Sequence, residues 1–391
     1  MALWDYKWVI LFYGGIILLL YLYRKRFDSQ GPLIKLYRTK LGLKYMDKIG
    51  FKHPRLIQTL ATIGIYVGYL GMLTIIGFIF YGVYQILFVP GAPPPLQPVI
   101  PGVPIPGSPI QVPLITGWIA LFISAAIHEF SHGVVARAHK IKVKSSGFAF
   151  IGPLAAAFVE PDEKQVKKAG KKVQNSIFAA GPFSNVLLAI LMILILSFVL
   201  TPIINAYLTP AGFTFQQVQP GYPAEQAGIL PAVTYTSVNG QETLTVPDFF
   251  KTLENLTPNE AVTLGTADDT YTIIATTHPD NASKGYLGVI GPATVYANEK
   301  TILATILLYI VKLFNWIFII SLGLGLANLL PLGPVDGGRL FQTASLYFFG
   351  EKKGKKIWTV VTFVFIGIII LLFFPIIKAT LIALAKALHI L

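Results

Sequence analysis

Apolar positions in this chain gather in long uncharged runs rather than in the narrow stripes of a soluble amphipathic helix. Five or six runs qualify, over residues 8–23, 56–88, 115–136, 177–204, 313–332 and 357–377. A helix needs about 20 apolar residues to cross a hydrocarbon core of about 30 Å, so these runs predict membrane-spanning helices. The second run is long enough to tilt or to continue past the bilayer. The first has its basic flank, Arg24-Lys25-Arg26, after the apolar run, with no small-residue cleavage site behind it. It reads as a retained anchor rather than a leader. The predicted fold class is mainly α, a polytopic helical membrane protein carrying a small α+β insert.

Between the runs the texture changes three times. Prolines crowd residues 90–113 too densely for a helix or a central strand, which predicts an extended loop. Residues 146–161 are apolar but short and broken by glycine, and suit either a β-hairpin or a re-entrant loop packed against protein. A hairpin there would offer edge backbone groups to an extended substrate, whereas a packed loop would only connect. From residue 213 come short β-type runs at 233–238, 261–264 and 271–276 with one helical stretch at 246–256. The resulting segments are 1–90 (N-terminal spans and a basic loop), 91–113 (Pro-rich loop), 114–208 (membrane core), 209–298 (α+β insert), 299–345 (membrane core) and 346–391 (C-terminal span and tail).

Composition and charge set the sidedness. Hydrophobic residues make up 54% of the chain and charged residues only 13%, too apolar for an ordinary soluble domain. The net charge of +13 would suit nucleic acid, but the basic residues fall in three blocks beside the spans, at 24–55, 137–172 and 352–356. That pattern predicts cytoplasmic loops and contact with anionic lipid, and no nucleic-acid partner. The N-terminus, the Pro-rich loop and the insert are then external. The insert agrees: residues 211–295 hold eight acidic side chains against Lys251 and Lys284. Cysteine is absent, which excludes disulfides, thiolate metal sites and a cysteine nucleophile.

The chemistry sits in the third run, at His128-Glu129-Phe130-Ser131-His132. On a helix, residues i and i+4 share a face, so both imidazoles can meet one metal while Glu129 lies beside them to take a proton from water. The chain has only six histidines, and ionisable groups within a span are expensive. A catalytic zinc also wants a third protein ligand. The best candidate is Asp336 in Asn328-Leu329-Leu330-Pro331-Leu332-Gly333-Pro334-Val335-Asp336-Gly337, whose prolines and glycines break the fifth run near the same depth. One Zn²⁺, two neutral imidazoles and two carboxylates sum to zero charge, which makes burial cheaper for the assembled cluster than for its parts.

With these residues in hand, the chain resembles the site-2 protease family of intramembrane zinc metalloproteases. The His-Glu-x-x-His helix, the later Asn-x-x-Pro-x-x-x-x-Asp-Gly segment at 328–337, and Gly181-Pro182-Phe183-Ser184-Asn185 carry the likeness over about residues 115–340. The resemblance implies that His128, His132 and Asp336 hold one Zn²⁺, that Glu129 is the general base, and that Asn328 stabilises an oxyanion. Asn185 is left as either a substrate contact or a packing residue. It further implies a transmembrane-helix protein as substrate, cut in a prokaryotic cell membrane with the active site towards the cytoplasm. Gln219 to Gly228, Ser237-Val238-Asn239-Gly240 and Gly285-Tyr286-Leu287-Gly288 resemble a PDZ domain, with Gly285, Leu287 and Gly288 as candidate receptors of a peptide terminus. The same glycines suit plain tight turns. A transporter using these polar residues as an ion path is the competing class.

Overall fold

Residues 7–31, 34–89, 95–105, 110–279, 281–298 and 300–387 are described by the structure, a computed structural model. In chain order the elements are α1 (Lys7–Leu22), β1 (Asp28–Gln30), β2 (Ile34–Thr39), α2 (Leu43–Lys52), α3 (Pro54–Phe88), α4 (Leu114–Ala138), β3 (Val143–Ile151), β4 (Leu154–Pro161), α5 (Glu163–Lys168) and α6 (Lys171–Ile195). A π-helical turn (Leu196–Leu200) leads to α7 (Thr201–Tyr207), β5 (Pro210–Val218), α8 (Pro223–Gln226), β6 (Ser237–Val238), β7 (Gln241–Glu242) and α9 (Val246–Thr252). Then follow β8 (Ala261–Gly265), β9 (Thr270–Ile274), β10 (Thr276–His278), β11 (Asn281–Tyr286), β12 (Val289–Tyr296), α10 (Ile302–Asn328) and α11 (Asp336–Ala387).

Among the described residues, five helical stretches are long and apolar enough to cross a membrane: Pro54–Phe88, Leu114–Ala138, Lys171–Tyr207, Ile302–Asn328 and Asp336–Ile382. The chain is therefore a multi-pass membrane protein. The first expected span, 8–23, is the 16-residue α1, about 24 Å at 1.5 Å per residue and short of a full hydrocarbon core. The fifth, expected at 313–332, instead runs over Ile302–Asn328 and stops where Pro331 and Pro334 follow. The last helix is one long element kinked at Gly350 (φ 72°). Of the Pro-rich stretch, residues 90–94 and 106–109 lie outside the described set. Its described part has no helix or strand, and Tyr13 of α1 donates to Pro101 O at 2.8 Å.

The chain divides into two units, Met1–Ile195 with Lys312–Leu391, and Leu196–Val311. In the first, α3 buries Ala61, Gly64, Gly68, Met72, Ile75, Ile79 and Gly82, a three-and-four-residue stripe. Its small members let backbones approach closely, which is how helices associate where lipid is as apolar as the side chains. The large residues Tyr66, Leu70, Leu73 and Phe80 point away from the protein, as a lipid-facing surface requires. α4 buries a row of every fourth residue, Thr116, Ala120, Ser124, His128 and His132, and below it Gly133 to Ala136, where α2 and β4 cover its end.

Residues 146–161 form the hairpin alternative, β3 against β4, closing at Gly152 between Ile151 and Leu154. It belongs to an antiparallel sheet of order β1-β2-β3-β4, so β4 is an edge. The basic loop expected after the first run thus contributes two strands. Arg38 of β2 ties them together, bonding Asp28 Oδ2 at 2.5 Å and Glu160 Oε2 at 3.3 Å. Ser145 Oγ also donates to Glu160 at 2.7 Å, and this bond with the Arg38 charge holds the carboxyl below the usual glutamate range.

The second unit is α+β. Long antiparallel β5 and β12 pair with each other, β7-β6-β8-β9 form a second sheet, and β10 pairs with β11. Phe213, Phe215, Tyr235, Phe249, Leu264 and Ile273 fill its core. The helix expected at 246–256 ends at Thr252, and of the run 233–238 only Ser237–Val238 is a strand, with Tyr235 bridging Phe213.

Candidate metal centre

α4 projects His128 and His132 from one face, 4% and 8% exposed, with ring centroids 4.9 Å apart. Asp336 is the first residue of α11, reached through the non-helical residues 329–335 that follow α10. This break folds tightly: a Cβ at Gly337 would strike the carbonyl group of Leu329, so the close approach needs glycine there. Asp336 Oδ2 comes to 3.1 Å from His128 Nε2 and 3.2 Å from His132 Nε2. The ligand atoms of His128, Glu129 and His132 lie within 4.8 Å of one another.

These separations fit a zinc ion. Ligands about 2.0–2.1 Å from a tetrahedral metal stand about 3.3 Å from one another, and the carboxylate is that far from both imidazoles. The donor set of two nitrogens and one oxygen is also a catalytic one, leaving a fourth position open.

A family model described as Peptidase family M50 matches residues 116–372, a stretch that takes in the histidine helix and Asp336. The chain belongs to peptidase family M50. Members of this family are membrane-embedded zinc metalloproteases. The chain is also similar to the uncharacterized protein MJ0971 of Methanocaldococcus jannaschii, 30% identical over 363 residues, which cover 90% of this chain and 89% of that protein.

In this M50 protein the space for a metal is kept open by Gly181. A Cβ built there would fall on the Nε2 atoms of both His128 and His132, so any larger residue would occupy the ligand face. The next residue, Pro182, lies inside α6 and disturbs the turn before it. From that turn the Ile177 carbonyl accepts from His132 Nδ1–H at 2.7 Å. With Nδ1 protonated, the Nε2 lone pair faces Asp336.

Glu129 is half-buried, and its Oε2 accepts from the backbone N–H of Val159 in β4 at 3.0 Å. The edge strand therefore touches the residue expected to act as base. Asn185 is fully buried with Nδ2 3.3 Å from His128 Nδ1, a contact the sequence reading did not foresee. Asn328 closes α10 with its Nδ2 donating to Leu324 O of the same helix at 3.0 Å.

The three residues expected to receive a peptide terminus lie in the second unit. The Gly285 N–H donates to Leu256 O at 2.7 Å, so it is already spent. Leu287 is 4% exposed within the hydrophobic core, and its carbonyl accepts from Ala224 N. Gly288 turns at φ 84° beneath the Tyr222 side chain, and its carbonyl accepts from Gln219 N at 2.8 Å.

Proposed function

We propose that this protein is a site-2-type zinc endopeptidase that hydrolyses peptide bonds within transmembrane segments of membrane-anchored proteins. The observation that carries the reading is the convergence of His128, His132 and Asp336 at 3.1–3.2 Å on apolar, membrane-length helices, with Glu129 beside them.

When bound, zinc supplies Lewis acidity towards a carbonyl oxygen and acidifies water at neutral pH. Glu129 would accept the proton of the attacking water at a carboxylate oxygen and return it to the leaving amine. Asn328 serves the oxyanion once its side chain releases Leu324 O. A transmembrane helix hides its carbonyls in its own ladder, so the substrate must be extended at the cut. The β4 edge, one N–H of which already reaches Glu129, is the natural partner for that extended segment.

The basic blocks support an active site towards the cytoplasm and an external insert at 209–298, which we read as PDZ-like from its glycine turns and short strands. Its partner would be a peptide or the substrate itself.

The test is a purified assay with a model transmembrane substrate and the Glu129→Gln variant. The expected result is cleavage by the wild type and a loss of about 10²–10⁴-fold in the variant, with zinc retained. An ion-transport role predicts no peptide product from either form.

A further inference from the structure

Asn185 is 0% exposed and sits against the metal centre. Its Nδ2 stands 3.3 Å from His128 Nδ1, and its Oδ1 is buried without a partner among the described residues. In that orientation the amide would donate to Nδ1, leaving the ring proton on Nε2, the atom 3.1 Å from Asp336 Oδ2. An imidazole protonated at Nε2 has no lone pair there to give a metal. The oxygen and nitrogen of a side-chain amide exchange places by a half turn. The orientation drawn leaves Oδ1 unpaired, so the ring proton decides between the two.

We infer that Asn185 is a positioning residue for the metal centre: its Oδ1 accepts from His128 Nδ1–H and so fixes the tautomer and ring plane in which Nε2 faces the metal. The second imidazole is held in the same way, because Ile177 O can only accept and lies 2.7 Å from His132 Nδ1. One ligand is thus oriented by a backbone carbonyl of α6 and the other by a side chain two turns further along that helix.

Asn185 is itself held in place. Ser321 Oγ of α10 donates to its backbone carbonyl at 3.0 Å, and a Cβ at Gly325 would stand 3.1 Å from the Asn185 Cβ, so α10 closes over it. A residue sealed in this manner has no surface for substrate, which separates the positioning role from the substrate contact considered from sequence.

The inference rests on the zinc reading above, and the experiment separates the two. Zinc affinity is measured by competition with a chromophoric chelator on the purified full-length wild type, Asn185→Asp and Asn185→Leu. Aspartate keeps an acceptor at this position, whereas leucine keeps similar bulk without one. The expected result is wild-type or tighter affinity for the aspartate variant and about 10–100-fold weaker binding for the leucine variant. Equal affinity of the leucine variant and the wild type overturns the inference while leaving the metal centre intact. Should the leucine variant not fold, the aspartate variant decides alone. Weakening of tenfold or more there would mean that a donor is required, and would overturn the proposal. A wild type that binds no zinc defeats the metal centre and this inference together.

Discussion

A carboxylate taken out of water needs a compensating charge, and Asp336, with its side chain 16% exposed, stands at 3.1–3.2 Å from two imidazoles. Replacing it with asparagine removes the one charged ligand, so zinc affinity is expected to fall by more than about tenfold, measured by chelator competition. Gly181→Ala tests the same centre without touching a donor. Its methyl would fall between the imidazoles, and the expected outcome is lost zinc binding, read by metal analysis, while the helices remain folded by circular dichroism. The histidine pair and its glutamate were legible because helical periodicity turns spacing into a shared face. The partners of those imidazoles were not. The Ile177 carbonyl is backbone, and the meeting of Asn185 with His128 depends on how α4 crosses α6, which no local pattern records. Asn328 shows the limit from the other side: its motif names it, but its side chain bonds within its own helix.

Helices and strands fix what the residues can reach. The row Ala120, Ser124, His128 and His132 is buried because every fourth residue of α4 faces its neighbours, so ligand placement and helix packing are one arrangement. The break after α10 was readable from Pro331 and Pro334, while the depth at which it returns Asp336 needed the tight packing of Gly337 on Leu329. The hairpin was visible as one of two alternatives. Its partners β1 and β2 were not, since β1 is short and polar and both lie in a segment that reads as a basic loop. The edge strand supplies an element-scale prediction. Val159→Pro deletes the N–H that Glu129 accepts, at an edge position where proline is tolerated. Peptide turnover is expected to drop with zinc affinity unchanged, and equal turnover would remove β4 from the account.

Across the whole chain, apolar runs and basic blocks gave a multi-pass architecture, and errors gathered at run ends, where hydrophobicity does not mark a helix boundary. The predicted sidedness can be read directly, because the chain has no cysteine and any introduced one is a unique label. A cysteine at Asp268 should react with an impermeant thiol reagent in intact cells, and one at Lys352 only after the membrane is opened; the reverse pattern would invert the topology. The claim on which function depends is that two imidazoles from α4 and one carboxylate from α11 hold a single zinc. X-ray absorption at the zinc edge on the purified protein measures that shell. The expected result is one ion per chain bound only by nitrogen and oxygen at about 2.0–2.2 Å, with two imidazole signatures that diminish in His128→Ala. A protein without stoichiometric zinc, or a shell unchanged by losing both His128 and Asp336, would contradict it.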